Sequence, residues 1–176
     1  MHGIDEKRDF HPLHIAVLTI SDTRTKEDDR SGDQLKKMLT EAGHSCVSRE
    51  IITDDKDAIQ AAIKKHINNQ GTDVVITTGG TGLTGRDVTI EAITPLYDKK
   101  IDGFSVLMHM LSYQTVGTST MASRACAGLA NGTMLFSLPG SPGACKDAWN
   151  GILKHQLDSR HGPCNLVALM PRFLER

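Results

Sequence analysis

Apolar residues follow two alternating patterns along the chain. Short runs in which almost every position is apolar, with many β-branched residues, are typical of strands buried on both faces of a sheet. Longer segments in which apolar residues recur every three or four positions are typical of helices with one buried face. Leu13–Ser21, Asp73–Thr77 and Thr133–Leu138 are predicted to be such buried strands, and His44–Ile52 is predicted to be a further strand.

Capping signals locate the helices between these strands. Ser31, with Gln34 three residues later, has the pattern of a capping box, and Gly43 is expected to end that helix. Either Asp54 or Asp55 can cap the second helix. A third predicted helix begins near Asp87 or Val88, and Pro95 stops or kinks it. The other predicted helices cover Gly103–Leu111, Ser119–Leu129 and Ala144–Leu157.

The alternation of strands and helices predicts an α/β fold with a parallel, doubly wound sheet and helices on both faces. Residues 1–12 are expected to form an N-terminal arm, and residues 13–176 a single domain. In such sheets ligands bind beyond the carboxyl ends of the strands. Four loops are therefore expected to meet there: Ser21–Asp22, Thr53–Asp54, Thr78–Asp87 and Pro139–Ser141.

Composition narrows the classes of function. The 176 residues are 39% hydrophobic and 23% charged, which is typical of a soluble globular protein. A net charge of -1 and few aromatic residues argue against nucleic-acid binding. No apolar run approaches the roughly 20 residues of a membrane span, and the first residues lack a signal-peptide core. We therefore expect a cytoplasmic protein without membrane association, whose widely spaced cysteines are reduced.

A glycine-rich segment follows the third predicted strand directly. It reads TTGGTGLTGRD from Thr77 and contains four glycines and several threonines. Glycine permits positive φ angles and a close approach of the backbone to a ligand. Backbone N–H groups in a turn that opens a helix form a nest for anionic oxygens. Because a tight strand-to-helix turn alone needs fewer glycines, this loop is predicted to bind an anion.

Two familiar phosphate-binding motifs fit this loop poorly. Gly80 and Gly85 have the spacing of a Walker A loop, but Arg86 and Asp87 follow where Lys and Ser or Thr are required. The same glycines match the GxGxxG dinucleotide pattern, although that pattern normally follows the first strand. Asp102, at the distance expected for the ribose-binding acid, lies outside any predicted strand. A nicotinamide site is therefore disfavoured.

Asp87, next to the predicted anion nest, indicates a cation. A carboxylate there would repel a phosphate unless a metal ion bridged them, and Mg²⁺ typically binds one or two carboxylates together with phosphate oxygens. Asp54, which ends the second predicted strand, is a candidate ligand of the same ion. Both residues can instead cap helices. Arg86 can stabilise the charge of a transferred phosphate or lie in solvent.

Beyond these individual residues, the segment TGGTGLTGRDVTIEA (Thr78–Ala92) resembles the signature of the MoaB/MogA family of molybdenum cofactor biosynthesis proteins. The segment GTSTMASR (Gly117–Arg124) is more similar to the MoaB branch than to MogA, and the resemblance covers essentially Leu13–Cys164. Other matching segments are LTISDTR (Leu18–Arg24), IITDD (Ile51–Asp55), GFSVLMHMLSYQTVGTSTMASRACAG (Gly103–Gly128) and SLPGSPGACKDAW (Ser137–Trp149).

The resemblance implies a three-layer α/β/α molybdopterin-binding fold in a homotrimer or homohexamer, whose interface could use the apolar segments Gly103–Leu111 and Met121–Leu129. It also implies a Mg²⁺-dependent molybdopterin adenylyltransferase, in which the terminal phosphate of molybdopterin attacks the α-phosphate of ATP and pyrophosphate leaves. The adenylylated pterin would then pass to a molybdenum-inserting partner. The alternatives are a non-catalytic molybdopterin-binding or assembly protein, and an interaction module like the scaffold domains related to this family.

The resemblance also implies roles for individual residues. Asp54 and Asp87 occupy the two acidic positions of active family members and are expected to be catalytic and to hold Mg²⁺. Branch members that depart at these positions are regarded as inactive. The positions expected to bind pterin or nucleotide are Ser21, Asp22, Thr78, Gly79, Gly80, Thr81, Gly82, Ser112, Ser119, Pro139, Gly140 and Ser141.

Overall fold

The computed structural model describes residues 3–175, and within that range no helix is long and apolar enough to cross a membrane. The strands are β1 (Gly3–Ile4), β2 (His14–Ile20), β3 (Ser45–Ile52), β4 (Val74–Thr78), β5 (Lys99–Lys100), β6 (Cys126–Ala130), β7 (Thr133–Leu138) and β8 (His161–Gly162). The α-helices are α1 (Arg30–Glu41), α2 (Lys56–Ile67), α3 (Thr89–Ile93), α4 (Asp102–Val116), α5 (Pro142–Ala148) and α6 (Lys154–Gln156). Short 3₁₀ helices cover Thr94–Leu96, Gly117–Ala122 and Val167–Arg172, and a π-helical segment, Trp149–Leu153, joins α5 to α6.

Six strands form one mixed sheet in the order β3-β2-β4-β7-β6-β5. The first four are mutually parallel, and β6 and β5 complete the sheet in antiparallel pairings. The predicted α/β class with a mostly parallel sheet is confirmed. The four predicted strands are the four parallel ones, and each is reproduced to within one or two residues at either end.

Helices cover both faces of the sheet because successive side chains of a strand point to opposite faces. In β2, Ile15 and Val17 belong to the apolar core that includes residues of α1, α4 and α5. Ala16 and Leu18, which alternate with them, belong to a second core with residues of α2 and α3. The three-layer α/β/α arrangement is therefore confirmed.

The predicted helix over Ser119–Leu129 is wrong. Its first residues belong to the 3₁₀ helix that ends at Ala122, and its last residues form β6, which pairs antiparallel with β7. The reason lies in the turn between them, where Asn131 and Gly132 both have positive φ angles of 48° and 81°. Such a two-residue turn matches the twist of a hairpin. The hairpin therefore overrides the helical spacing of the apolar residues.

The N-terminus of α1 also differs from its prediction. Asp29 is the N-cap and accepts a hydrogen bond from the Gly32 N–H at 2.9 Å. Its buried carboxylate also accepts a bond from Arg49 at 3.0 Å, so it is fixed more firmly than the Ser31 hydroxyl would be. The prediction of Ser31 as the cap is therefore wrong. The Ser31 hydroxyl instead donates to the carbonyl of Gly140 at 2.8 Å and connects α1 to the loop after β7.

The arm predicted over residues 1–12 lies against the C-terminal part of the chain. Residues 1 and 2 lie outside the described range. β1 pairs antiparallel with β8. The ring of Phe10 packs against His44, with centroids 5.2 Å apart, and the Arg160 guanidinium lies 4.9 Å from the Phe10 centroid. Phe10 thus packs beside the residue that precedes β3, at the opposite end of that strand from the loop at Thr53–Asp54.

Candidate functional site

The loops that follow β2, β3, β4 and β7 meet at the carboxyl edge of the parallel strands. The Asp54 N–H, after β3, donates to Asp22 Oδ1, after β2, at 3.1 Å. Arg86, in the loop after β4, donates to Asp22 Oδ2 at 2.6 Å. The Gly79 N–H donates to the Leu138 carbonyl, at the end of β7, at 3.1 Å. The structure therefore brings together the four loops named from the sequence.

The first two glycines of the loop after β4 have conformations and surroundings that exclude a side chain. Gly79 and Gly80 have φ angles of 105° and 62°, in the left-handed region that favours glycine. A Cβ on Gly79 would lie 2.2 Å from the Ile20 carbonyl oxygen, and one on Gly80 would lie 2.2 Å from Thr89 Oγ1. These glycines therefore let the loop turn tightly between β2 and α3.

Asp87 organises the second half of this loop. Its Oδ2 accepts hydrogen bonds from the Thr84 hydroxyl at 2.7 Å and from the Thr84 N–H at 2.9 Å. These bonds, the hydroxyl first, hold the pKa of the Asp87 carboxyl below its ordinary value. Helix α3 has Val88 as its N-cap, with no side-chain capping bond. Asp87 is therefore an ionised loop residue and does not cap that helix.

Asp54 is also free of the capping role. Asp55 caps α2 and accepts from the Ala58 N–H at 2.8 Å. Partial burial, followed by the negative charge of Asp22, raises the pKa of the Asp54 carboxyl above its ordinary value. A raised pKa means that the surroundings disfavour the carboxylate. A cation bound next to Asp54 would relieve that cost.

Arg86 supplies positive charge at the mouth of the site. Both its Nε and its Nη2 donate to Asp22 Oδ2, at 3.1 and 2.6 Å, although the side chains of Arg86 and Asp22 are 67% and 39% exposed. This contact is the main cause that lowers the pKa of Asp22. The attraction of Arg86 also partly offsets the rise in the pKa of Asp54. Arg86 is thus placed where it can meet an anionic ligand.

The two carboxylates expected to hold Mg²⁺ lie against the same glycine turn. A Cβ on Gly80 would lie 2.8 Å from Asp54 Oδ1, and a Cβ on Gly82 would lie 2.7 Å from Asp87 Oδ2. Within residues 3–175, no group of three or more Asp, Glu, His or Cys side chains could hold a metal ion. Mg²⁺ usually takes one or two carboxylates and completes its shell with water and phosphate oxygens. The residues present fit that kind of site.

Several residues expected to bind ligand have structural contacts in addition. The Thr78 hydroxyl donates to the Pro139 carbonyl at 2.9 Å. Ser141 caps α5 by accepting from the Ala144 N–H at 3.2 Å. The Ser21 hydroxyl accepts from two backbone N–H groups of its own loop, those of residues 23 and 24. These side chains shape the loops, and the groups left for a ligand there are chiefly backbone groups.

A cavity of about 440 Å³ lies between the loop after β7 and the end of α4. Ser112 and Ser119 lie in its wall, so the structure places both serines next to the loop after β7. Pro139 and Ser141, two of the predicted ligand-binding residues, also line it. The size of the cavity is typical of a site for a small organic molecule.

Sequence reasoning missed Arg124 as a residue of this site. Its Nε donates to the Gly82 carbonyl at 2.8 Å, and its Nη2 donates to the Asp87 carbonyl at 2.8 Å. Arg124 also forms an ion pair with Glu91 of α3. No residue pattern marks Arg124, because its contacts with the loop depend on β6, which the sequence predicted as part of a helix.

The comparisons with known proteins agree on one family. The family model for a probable molybdopterin binding domain matches residues 16–159. Molybdenum cofactor biosynthesis protein B of Escherichia coli (strain K12) is 46% identical over 157 residues, which cover 89% of this chain and 92% of that protein. Its namesake from Bacillus cereus is 49% identical over 146 residues, which cover 82% of this chain and 86% of that protein.

Solved structures give the same result. A crystal structure of molybdenum cofactor biosynthesis protein B has a TM-score of 0.82 at 46% identity and covers 85% of this chain and 94% of its own. The structure titled tungsten cofactor synthesizing protein MoaB from Pyrococcus furiosus has a TM-score of 0.75 at 38% identity, with 82% and 92% covered. Together with the fold and the site, these similarities show that this chain belongs to the MoaB family of molybdenum cofactor biosynthesis proteins.

Proposed function

We propose that this chain is a Mg²⁺-dependent adenylyltransferase that transfers AMP from ATP to the terminal phosphate of molybdopterin. The observation that carries the proposal is the approach of two carboxylates, those of Asp54 and Asp87, to one glycine turn, at Gly80 and Gly82. The turn is suited to phosphate oxygens, and the carboxylates need a cation beside such oxygens. A triphosphate with Mg²⁺ satisfies both requirements.

The chemistry needs no protein base. An oxygen of the molybdopterin phosphate forms a bond to the α-phosphorus of ATP, and the bond from that phosphorus to the bridging oxygen of pyrophosphate breaks. The attacking phosphate is already anionic at neutral pH, because the second pKa of a phosphate monoester is about 6. Bound Mg²⁺ neutralises charge on the triphosphate. Catalysis then consists mainly of positioning and of charge stabilisation.

The loops divide this work. Asp54 and Asp87 would hold the metal ion, and the backbone N–H groups of Gly80 and Thr81 would bind phosphate oxygens. Ser21 and Asp22 contact the nucleotide, and Arg86 stabilises negative charge beside them. The cavity walled by Ser112, Ser119 and the loop after β7 takes the pterin. In this proposal the pterin phosphate and the nucleotide meet at the glycine turn.

A homo-oligomer, trimer or hexamer, is proposed as the working form. Supporting it, α4 and the following 3₁₀ helix expose large apolar side chains, among them Val106, Met110, Tyr113 and Met121, which are 58%, 58%, 59% and 77% exposed. Exposed apolar surface of this kind commonly marks a protein interface. We further propose that the adenylylated product passes to a molybdenum-inserting partner. A cytoplasmic location is supported by four cysteines that are all free.

The proposal is tested by pyrophosphate release from ATP with Mg²⁺ and molybdopterin. Wild type is expected to exceed Asp87→Asn by about 100-fold, which corresponds to about 2.7 kcal/mol of transition-state stabilisation. Asp54→Ala should bind molybdopterin and lose most of its turnover. Asp55→Ala is the matched control, since it removes only the cap of α2, at a cost of about 1 kcal/mol of stability, and should retain turnover.

The opposite result is equally informative. If wild type releases no more pyrophosphate than Asp87→Asn, the adenylyltransferase proposal fails. Molybdopterin binding, measured separately by fluorescence of the pterin, would then decide whether the chain is a non-catalytic binding protein of the same pathway.

A further inference from the structure

Arg124 contacts both ends of the second half of the glycine-rich loop. Its backbone N–H donates to the Thr81 carbonyl at 3.0 Å. Its Nε donates to the Gly82 carbonyl, and its Nη2 donates to the Asp87 carbonyl, each at 2.8 Å. One residue, which lies between the 3₁₀ helix Gly117–Ala122 and β6, thus fixes the loop where it begins and where it ends.

The geometry of the peptide bond shows which way the neighbouring backbone N–H groups point. In a trans peptide the C=O and the following N–H point in opposite directions. Since the carbonyls of Thr81 and Gly82 point towards Arg124, the N–H groups of residues 82 and 83 point away from it. The Gly82 N–H faces the Asp87 carboxylate, and its hydrogen bond helps to lower the pKa of that carboxyl. Arg124 therefore fixes the position of the loop and also orients its backbone N–H donors.

The positive charge of Arg124 is satisfied by groups of the protein itself. Its Nη1 pairs with Glu91, and its other two nitrogens reach carbonyls, so the guanidinium donates on all sides. Its side chain is 29% exposed, whereas that of Arg86 is 67% exposed. A planar guanidinium can span separate acceptors, which a lysine ammonium on a flexible stem cannot reproduce. Arg86, in contrast, remains accessible to a ligand.

From these contacts we infer that Arg124 is the positioning residue of the site: it holds loop 81–87 in its anion-binding conformation and aims Asp87 at the cation. It acts through the loop, and no contact with a substrate is required of it. The catalytic consequence rests on the proposed function, whereas the effect on the loop does not. The two can therefore be tested separately.

The first experiment measures the loop without any substrate. Hydrogen–deuterium exchange of the peptide that covers residues 82–88 is compared in wild type, Arg124→Ala, Arg124→Lys and Arg172→Lys. Arg172 is a matched control, since among residues 3–175 its side chain pairs only with Glu175. We expect at least about tenfold faster exchange in both Arg124 variants and no change in Arg172→Lys. Wild-type exchange in Arg124→Ala would overturn the inference.

The second experiment uses a readout that a general loss of stability would not produce. In the pyrophosphate assay, Arg124→Ala should need more Mg²⁺ for half-maximal rate and should lose about 100-fold in kcat, the order of effect expected from a misplacement of about 1 Å. Added guanidinium at millimolar concentration should restore part of the rate to Arg124→Ala and none to Arg124→Lys. An unchanged Mg²⁺ requirement in a folded Arg124→Ala protein would contradict the inference.

The failure of the proposed function can be distinguished from the failure of this inference. If wild type transfers no AMP, the proposed function fails, and the exchange of residues 82–88 still decides the role of Arg124. Thermal unfolding of each variant controls for misfolding. If Arg124→Ala does not fold, Arg124→Lys carries the test, and wild-type exchange together with wild-type Mg²⁺ dependence in that variant would overturn the inference.

Discussion

Replacement of Gly82 by alanine should disable the site through one contact. A Cβ on Gly82 would lie 2.7 Å from Asp87 Oδ2 and 3.0 Å from its Cγ. Ordinary contact begins at 3.4 Å, so the carboxylate has to retreat by about 0.7 Å. The φ angle of Gly82 is not in the left-handed region, so backbone strain does not contribute. The expected effect is therefore a displacement of Asp87.

The size of the effect follows from this displacement. The retreating carboxylate loses the geometry of its bonds to the Thr84 hydroxyl and N–H, which are 2.7 and 2.9 Å long. A misplacement of about 1 Å at a reacting centre can cost about 100-fold in rate. We therefore expect Gly82→Ala to lower kcat by about 10- to 100-fold, or about 1.4 to 2.7 kcal/mol, and to raise the Mg²⁺ concentration for half-maximal rate.

Gly85→Ala is the matched control in the same loop. A Cβ there meets nothing within 4 Å, and its φ angle is also outside the left-handed region. Both variants are measured by pyrophosphate release over a range of Mg²⁺ concentrations and by thermal unfolding. Gly85→Ala should behave as wild type. Equal turnover in Gly82→Ala and Gly85→Ala would refute the reasoning, as would a Gly82→Ala protein that fails only because it unfolds.

Two further predictions concern stability and pH. The pKa of Asp54 is raised, so the folded protein favours the protonated carboxyl. The stabilisation from this protonated carboxyl is complete below the ordinary pKa of Asp and disappears as pH rises through the raised pKa of Asp54. Asp54→Asn should therefore raise the melting temperature of the Mg²⁺-free protein at neutral pH while turnover is lost; a melting temperature that falls in Asp54→Asn would contradict this reading. Asp29→Ala should reduce the free energy of unfolding by about 2 to 4 kcal/mol in a urea titration, because it removes the cap of α1 and the buried partner of Arg49, which keeps its ion pair with the exposed Asp33; a loss below about 1 kcal/mol would show that the pair contributes little.

Three of the four parallel strands could be predicted because they are buried on both faces. β2, β4 and β7 appear in the sequence as continuous apolar runs, and the loops after such strands must meet at one edge. β6 could not be predicted in this way, since its residues, CAGLA, are small and lack a strand pattern. Gly128 within it is covered by the ring of Tyr97, where a Cβ would lie 2.4 Å from the ring. Tyr97 is distant from β6 in the sequence, so the residues of β6 alone do not reveal this contact.

The candidate site was predictable to a similar degree. Local sequence places the glycines and the two acids, but it cannot decide which of Asp54 and Asp55 caps α2, because both stand before the helix. Only the geometry assigns the cap to Asp55 and leaves Asp54 for the site. Arg124 acts through carbonyls more than 35 residues earlier in the chain. Contacts between an arginine and backbone carbonyls leave no residue pattern that a single sequence could show.

The proposed reaction forms a bond between AMP and the phosphate of molybdopterin, and this bond can be detected directly. The protein is incubated with molybdopterin, Mg²⁺ and ATP labelled at the α-phosphate, and the label is then followed by chromatography and mass spectrometry. We expect the label to move onto the pterin in wild type and not in Asp87→Asn, with one pyrophosphate formed for each AMP transferred. Molybdopterin that stays bound but unlabelled in the wild-type protein would contradict the proposed reaction.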